Sequence, residues 1–390
     1  MKMEVIVGKE DADKTSSRRM RRFVLIGLVC MVVATALFFV VSHYLVNRQY
    51  QEFETLSSST RKDSLNVKYA CLEGHIIKYS KDGISEETVE GKTLWSGSYD
   101  MSSPAVTACG EYILVYDIGG KSAMIFHDGD TGTEIRTDYV IGDGSVSRQG
   151  VVALLLQDTS SDVINLYNPY DVSSTLLAQV PTNVVDGYPV AMELSPDGTS
   201  LAVSYACVDS EEVWSRVSFY NFTDVGKNKD CLVGAQNYKD DLVTEIRFRG
   251  DSAVCLYSTN GVYYWKNMKQ PQQVWKKKFD EQIYSVLYDE ETVGVITQTG
   301  LARKPYRVRL YRKNGKKKVD FTIAVNYNQV SLSGGEVLLS DGQKCYIYRT
   351  NGVKKLDTEV EDGVDYFFPG SKAGRYYLIT GQKIEEVTCR

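Results

Sequence analysis

Histidine is the scarcest of the residues that could carry acid–base chemistry in this chain. The 390 residues contain only His43, His75 and His127. A nucleophilic triad needs a histidine that a carboxylate holds in place, and in sequence only His127 has an acid, Asp128, directly after it. We expect His75 and His127 to lie exposed at turns. No G-x-S-x-G nucleophile elbow occurs, so the sequence assigns no catalytic residue.

Clustered acids suggest two other kinds of chemistry. The turn Asp128–Glu134 alternates carboxylates with glycines, but it lacks the twelve-residue spacing of a calcium loop. The pairs Asp240–Asp241 and Glu290–Glu291 are of the residue type that glycosidases use, although that reaction needs two carboxyl groups roughly 5–10 Å apart across a substrate. Polar turns carry both patterns equally well, so we predict no metal site.

Cofactor and nucleic-acid motifs are absent as well. Gly142–Ser145 lacks the lysine and the following helix of a phosphate-binding loop. None of the eight cysteines forms a CxxC pair, which disfavours a structural zinc site or a redox motif. The net charge is −5 and no concentrated basic face is visible. We therefore predict no cofactor and no nucleic-acid partner.

Two aromatic residues, Trp214 and Tyr306, are the best candidates for contact with a partner. They fall in the longer predicted connections Asp209–Arg216 and Thr299–Arg307, and connections commonly carry function. Aromatic side chains are enriched where partners bind most tightly. The consecutive residues Tyr264–Trp265 instead occupy a repeat position that other units fill with core aromatics, so we predict that they are buried.

The elements that must position these residues recur along the chain. Six times an apolar strand ends on an aromatic residue and continues into a polar turn, at Met124–Gly129, Ile164–Pro169, Val217–Asn221, Val262–Asn267, Arg309–Gly315 and Tyr346–Gly352. A second strand begins eight times, near Ile76, Tyr112, Val151, Leu201, Ala253, Val293, Val337 and Tyr376. The average spacing of about 43 residues is typical of four-stranded propeller blades.

These units predict an all-β fold, an eight-bladed β-propeller. The last unit lacks its fourth strand, and we expect a strand from about residues 55–65 to pair there and close the ring. A seven-bladed ring, in which the first and last units share one sheet, is the alternative. Radial repetition avoids the exposed edges that a single open sheet of about 30 strands would carry.

An apolar segment precedes the repeats. Phe23–Asn47 contains no charged residue, and about 20 apolar residues span a bilayer as a helix. The run is longer than the apolar part of a signal peptide. Basic residues crowd its N-terminal side, which places the N-terminus inside. We predict a cytoplasmic tail (1–22), a single transmembrane helix (23–46, Phe23–Val46), a juxtamembrane linker (47–64) that begins with a short helix, and an extracytoplasmic propeller (65–390) at the cell membrane.

Several short stretches carry a resemblance to known propellers. The turn Ser195–Gly198 resembles the SPDG turn of WD40-like and TolB-like propellers, and Gly91–Trp95 resembles a blade ending of quinoprotein-alcohol-dehydrogenase-like propellers. Over residues 20–390 the layout resembles a family of single-pass, propeller-bearing envelope proteins of unknown function from Gram-positive bacteria. Its stretches here are Lys81–Ile84, Leu94–Trp95, Ser103–Val106, Gly187–Val190, Leu194–Gly198 and Phe219–Phe222. The resemblance implies the fold and no activity.

The sequence thus favours a membrane-anchored, non-catalytic binding or scaffold module for a protein or cell-envelope ligand. The alternative is a carboxylate-based glycan hydrolase or lyase with its site at one mouth of the propeller channel. That alternative predicts clustered acids with shifted pKa values at one mouth of the channel.

Overall fold

The computed structural model describes residues 4–64, 66–72, 74–127, 129, 131–158, 161–170, 176–182, 187–209, 212–226 and 230–390, with the side chains of 4–24 and 209 left aside. The chain divides into two compact units. One extends to Tyr50 and the other comprises Gln51–Arg390.

The first unit is built on one long helix, α1 (Glu4–Asn47). The helix therefore runs through most of the segment that we predicted to be a cytoplasmic tail (1–22). Leu25–Asn47 has a mean hydropathy of 2.7, with its side chains unburied, and is long and apolar enough to cross a membrane. The Thr35 hydroxyl donates to the carbonyl oxygens of Met31 and Val32. This satisfies a polar group that would be costly to expose to lipid.

The second unit consists of eight four-stranded antiparallel sheets, which we call blades and number along the chain. The alternative of seven blades is therefore wrong. Blades 1 to 4 comprise β2 (Lys68–Leu72), β3 (His75–Tyr79), β4 (Gly83–Glu87), β5 (Thr93–Ser98); β6 (Pro104–Cys109), β7 (Tyr112–Asp117), β8 (Ser122–His127), β9 (Thr133–Arg136); β10 (Val140–Val146), β11 (Val152–Gln157), β12 (Val163–Tyr167), β13 (Leu176–Pro181); and β14 (Tyr188–Leu194), β15 (Ser200–Asp209), β16 (Glu212–Asn221), β17 (Leu232–Tyr238).

Blades 5 to 8 continue the same order. They comprise β18 (Val243–Phe248), β19 (Ala253–Ser258), β20 (Gly261–Lys266), β21 (Gln272–Lys278); β22 (Ile283–Tyr288), β23 (Thr292–Gln298), β24 (Tyr306–Arg312), β25 (Lys317–Ile323); β26 (Gln329–Ser333), β27 (Glu336–Ser340), β28 (Lys344–Arg349), β29 (Lys354–Glu359); and β30 (Tyr366–Pro369), β31 (Arg375–Ile379), β32 (Lys383–Cys389) with β1 (Phe53–Thr60).

We call the four strands of each blade a, b, c and d in pairing order. All eight predicted second strands begin within one residue of a b strand, and the six aromatic strand endings fall at the ends of c strands. Tyr264 and Trp265 are buried, as predicted. Apolar clusters fill the spaces between adjacent blades, and residues of the b and c strands contribute much of this core.

The ring closes through a strand from the start of the second unit. β1 pairs antiparallel with β32, with Phe53 opposite Cys389 and Thr60 opposite Lys383. The sequence predicted a closing strand at about residues 55–65, and the observed strand is Phe53–Thr60. The segment 47–64 is accordingly not a linker throughout, and the short helix that we expected after Asn47 is replaced by non-helical residues and β1. Blade 8 therefore joins the two ends of the propeller sequence.

The turn at Ser195–Gly198 has the predicted mechanism. A carboxylate oxygen of Asp197 accepts hydrogen bonds from the backbone N–H of Thr199 at 3.1 Å and from the Ser195 hydroxyl at 2.6 Å. Gly198 adopts φ +69°, a left-handed conformation that glycine reaches without a steric penalty.

Strand direction gives the ring two distinct ends. The a strands begin and the b strands end at the same end of the ring. We call this the upper end, and it carries the d–a and b–c connections. The a–b and c–d connections form the lower end. β1 is the d strand of blade 8, so the chain enters the propeller at the lower end, at Phe53.

Candidate binding face

Exposed apolar side chains are distributed unequally between the two ends. Among the described residues of the upper end, large hydrophobic side chains are exposed at Ile118, Tyr139, Tyr188, Val190, Val208, Val213, Tyr284 and Leu301. The lower end exposes Tyr170 and Val225 in its described connections, and Leu94, Leu176 and Leu177 where d strands begin. Other exposed hydrophobics of the propeller lie on the outer d strands, where single exposed residues are normal. The upper end is therefore the face that is better suited to contact a partner.

Blade 4 contributes a projecting hairpin to this face. β15 and β16 are each ten residues long, whereas the other b and c strands have five to seven residues. β14 pairs with Leu201–Ala206 and β17 pairs with Ser215–Tyr220. The last three pairs of β15 and β16, including Val208 opposite Val213, thus extend beyond the sheet as a two-stranded ribbon. Both of those valines are exposed. The exposed hydrophobic residues at the upper end of blades 4 and 6, which we call the candidate binding face, are Tyr188, Val190, Val208, Val213, Tyr284 and Leu301.

Trp214 lies at the base of this ribbon. It belongs to β16, opposite Cys207, rather than to a connection as predicted, and it packs partly against the core between blades 3 and 4. The ammonium of Lys239 lies 4.0 Å from the centre of its ring, a distance at which a cation is attracted to the indole face. Lys239 and Asp240 also line a cleft of about 310 Å³ between the outer parts of blades 4 and 5. Lys239 therefore contacts Trp214 at the base of the ribbon and also lines this polar cleft.

Tyr306 occupies a different position from the one predicted. It is the first residue of β24, not part of a connection, and only 8% of its surface is exposed. Its ring lies 5.0 Å from those of Tyr284 and Tyr327, and Tyr327 shares a hydrogen bond of 2.8 Å with Ser285. Tyr284 is the exposed member of this cluster. Tyr306 thus supports an aromatic residue that the sequence analysis did not select, and it belongs to blade 6, two blades away from Trp214.

Three acidic side chains with raised pKa values lie on the a strands of blades 3, 4 and 5: Asp143, Glu193 and Glu245. Asp143 on β10 accepts hydrogen bonds from the hydroxyl of Tyr116 in blade 2, at 3.1 Å, and from the backbone N–H of Gly144. Burial raises the pKa of Asp143, of Glu193 and of Glu245 above the usual range of carboxyl groups, and the pKa of Glu193 reaches about 7.

Arg247 joins these acids into one network. Its guanidinium lies 2.9 Å from Glu245 and 4.0 Å from Glu193, and its Nε donates to the hydroxyl of Tyr288 in blade 6 at 2.8 Å. Glu193 also accepts a hydrogen bond from the backbone N–H of Phe248 in blade 5. These contacts link a strands that share no backbone hydrogen bonds, so the network ties blades 4, 5 and 6 together. Within the described part of the chain, no three His, Cys, Asp or Glu side chains are close enough to hold a metal.

Solved structures share the propeller fold with this chain at low sequence identity. Chaetomium thermophilum Sqt1, solved with the N-terminus of ribosomal protein L10, has a TM-score of 0.56 at 10% identity and covers 87% of this chain and 100% of its own. A crystal structure of the eukaryotic initiation factor has a TM-score of 0.53 at 12% identity, with 85% and 84% covered. The Pan2 WD40 domain of Neurospora crassa has a TM-score of 0.46 at 9% identity, with 87% and 96% covered. At these identities the likeness shows the fold alone.

Sequence comparison gives a family but no function. A search of the curated proteins finds no match to this chain. The model described as "Family of unknown function (DUF5711)" matches residues 46–389, which is most of the chain, and the protein therefore belongs to that family.

Proposed function

We propose that the propeller is a non-catalytic binding or scaffold module whose upper end contacts a protein or cell-envelope ligand. The unequal distribution of exposed apolar side chains carries this proposal. A cluster of exposed hydrophobic residues commonly marks an interaction site, and the ribbon of blade 4 presents Val208 and Val213 at its tip. Trp214 and the tyrosine cluster around Tyr306 support the two sides of this face. The rigid ring holds both sides in place.

We further propose that Phe23–Val46 anchors the protein in the cell membrane of a Gram-positive bacterium, with the N-terminus in the cytoplasm and the propeller outside. The apolar helix and the basic residues on its N-terminal side support this topology. The topology is tested by protease treatment of intact cells, which should degrade the propeller and spare an N-terminal tag.

The binding face is tested with two matched valines. Val213 at the upper end is 53% exposed, and Val225 at the lower end of the same blade is 50% exposed. A photoactivatable amino acid at position 213, in intact membranes, should cross-link a defined partner, whereas the same label at 225 should not. Val213→Asp should weaken the affinity for that partner at least about tenfold, since burying an unpaired charge is costly. Val225→Asp should leave the affinity unchanged. Equal effects of the two aspartates, or cross-links only from 225, would overturn the proposal.

The acids with raised pKa values on the a strands, Asp143, Glu193 and Glu245, favour a second candidate function, carboxylate-based hydrolysis of an envelope glycan. Glu193, with a pKa near 7, has the protonation range of a general acid, and Glu245 is a second carboxylate bound to the same arginine. Turnover of purified cell-wall glycan by the protein, abolished by Glu193→Gln but retained in Val213→Asp, would establish this function. Absence of turnover across pH 5 to 8 would eliminate it.

A further inference from the structure

A cleft of about 500 Å³ lies between blades 1 and 2 at the lower end, away from the candidate binding face. Its volume is within the range of sites that hold a small ligand or a side chain. Both histidines of the second unit line it, although they are far apart in sequence. The residues that matter here are His75, Glu86 and Trp95 from blade 1, and Glu111, Phe126 and His127 from blade 2.

Glu86 organises the wall formed by blade 1. One of its oxygens is 2.6 Å from Nδ1 of His75, and the other accepts a hydrogen bond of 2.7 Å from the indole N–H of Trp95. The ring of Trp95 stacks on Phe126 of blade 2, with 5.5 Å between ring centres. Glu86 therefore fixes an aromatic side chain and a histidine in defined orientations at the cleft.

A charged residue at the position of Glu86 departs from the repeat. In blades 3 to 7, the pairing of strand c with strand d contains a register shift, as it does after Glu86 in blade 1. The c-strand residue just before that shift is apolar or aromatic: Leu166, Phe219, Tyr264, Leu310 and Ile347. The equivalent residue in blade 8 is Glu386, which pairs with Arg375, the first residue of its b strand, at 3.1 Å. His75 is the first residue of the b strand in blade 1. Blade 1 thus has a titratable histidine where blade 8 has a permanent cation.

The wall formed by blade 2 repeats the combination of a histidine and a glutamate. Nε2 of His127 lies 3.5 Å from Glu111, and its ring stacks on Tyr112 at 4.3 Å. Glu111 is 81% exposed. Among the described lining residues, the carboxylates of Glu86 and Glu111 lie beside an aromatic surface, a combination that attracts an organic cation.

We propose that this cleft binds the side chain of an arginine or lysine on a peptide partner. The charged groups facing His75 among the described residues are Glu86 on its own blade and Glu111 and His127 on the next. The cationic group would lie between the two glutamates, and its aliphatic part would pack on the apolar wall that Trp95 and Phe126 form. Screening by salt should weaken this binding.

The test titrates the full chain in detergent micelles with the blocked peptide acetyl-Gly-Arg-Gly-amide, followed by ligand-observed NMR. The citrulline peptide has nearly the same shape without the charge and serves as the ligand control. We expect saturable binding of the arginine peptide at pH 7.5, and at least about fivefold weaker binding of the citrulline peptide at the same pH.

Two variants locate the site. Glu111→Gln should weaken binding of the arginine peptide several-fold, while Glu291→Gln should not. Glu291 lies in the equivalent a–b turn of blade 6 and is 80% exposed. His75→Arg copies the Arg375–Glu386 pair of blade 8 and should weaken binding at pH 7.5, because a permanent cation then pairs with Glu86.

Three results would overturn the proposal: equal binding of the citrulline peptide, equal losses in Glu111→Gln and Glu291→Gln, or His75→Arg that binds like the unaltered protein. Because the cleft and the candidate binding face are at opposite ends of the ring, Val213→Asp should not affect this titration. The two proposals can therefore fail independently.

Discussion

At the scale of single residues, Glu193 links stability to pH. Its pKa is about 7 in the folded protein, against an ordinary value of 4.5, because burial penalises the charged form. Between these two values the folded state binds more protons at this site than the unfolded state does. The free energy of unfolding should therefore fall as the pH rises from about 4.5 to 7 and stay constant above that range. For this single group the change is at most about 3 kcal/mol.

Glu193→Gln removes the titrating group and should flatten this part of the pH profile. Chemical denaturation between pH 4 and 8 measures it, with Glu361→Gln as a control at an exposed acid in the connection before blade 8. The control should follow the profile of the unaltered protein. Superimposable profiles for all three proteins would show that Glu193 does not carry the effect.

Residue-level properties were only partly accessible from sequence. The burial of Tyr264 and Trp265 followed from the repeat, because their positions are shared with other blades. The environment of Tyr306 did not, since it depends on Tyr284 and Tyr327 in neighbouring elements. Glu193 was missed for the same reason. Its donor, Phe248, is 55 residues away in sequence, and no local pattern indicates which a strands are neighbours.

At the scale of elements, the junction that follows the closing strand depends on a buried ion pair. The side chains of Arg61 and Asp63 are each 6% exposed and are 2.9 Å apart. Arg61 also donates to the carbonyl oxygen of Thr380 at 3.0 Å and pairs with Asp365 of blade 8. Asp63 accepts from the hydroxyl of Tyr69 in blade 1 at 3.0 Å. The pair therefore connects β1 to the blades on both sides of the closure.

Arg61→Ala should destabilise the propeller by about 3–5 kcal/mol, because it leaves the carboxylate of Asp63 buried without its main cation. Arg136→Ala is the control. Arg136 is 82% exposed, and its pair with Glu134 at 3.0 Å is on the surface, so its loss should cost less than about 1 kcal/mol. Thermal and chemical denaturation of both variants measure the difference. Similar values for the two would mean that the junction does not depend on Arg61.

The closing strand shows what the sequence reveals about elements and what it conceals. Its existence followed from counting strands, because the last unit lacked one. Its position was harder to predict, since Phe53–Thr60 is rich in Ser and Thr and lacks an apolar pattern. An outer d strand has one face in solvent, and most residues of β1 are exposed. The same exposure made the segment resemble a linker.

At the scale of the whole molecule, eight blades follow from the pairing of the two ends of the propeller sequence in one sheet. Without β1, blade 8 would keep β30, β31 and β32, and β32 would become an unpaired edge. Every other blade takes its four strands from a continuous stretch of chain. Closure is thus the one long-range event on which the fold depends.

Two truncated proteins test this dependence. Residues 51–390 retain β1 and should unfold in one cooperative transition, whereas residues 62–390 lack it and should aggregate or melt without cooperativity, because the edge of β32 and the apolar side of blade 8 are exposed. A chain that ends at Gly370 should fail in the same way, since it loses β31 and β32.

A synthetic peptide of residues 51–62 should restore a cooperative transition to the 62–390 protein by adding the missing strand. Size-exclusion chromatography and thermal melting measure these outcomes. A cooperative, monomeric 62–390 protein with the melting temperature of 51–390 would show that the ring does not need β1 to close.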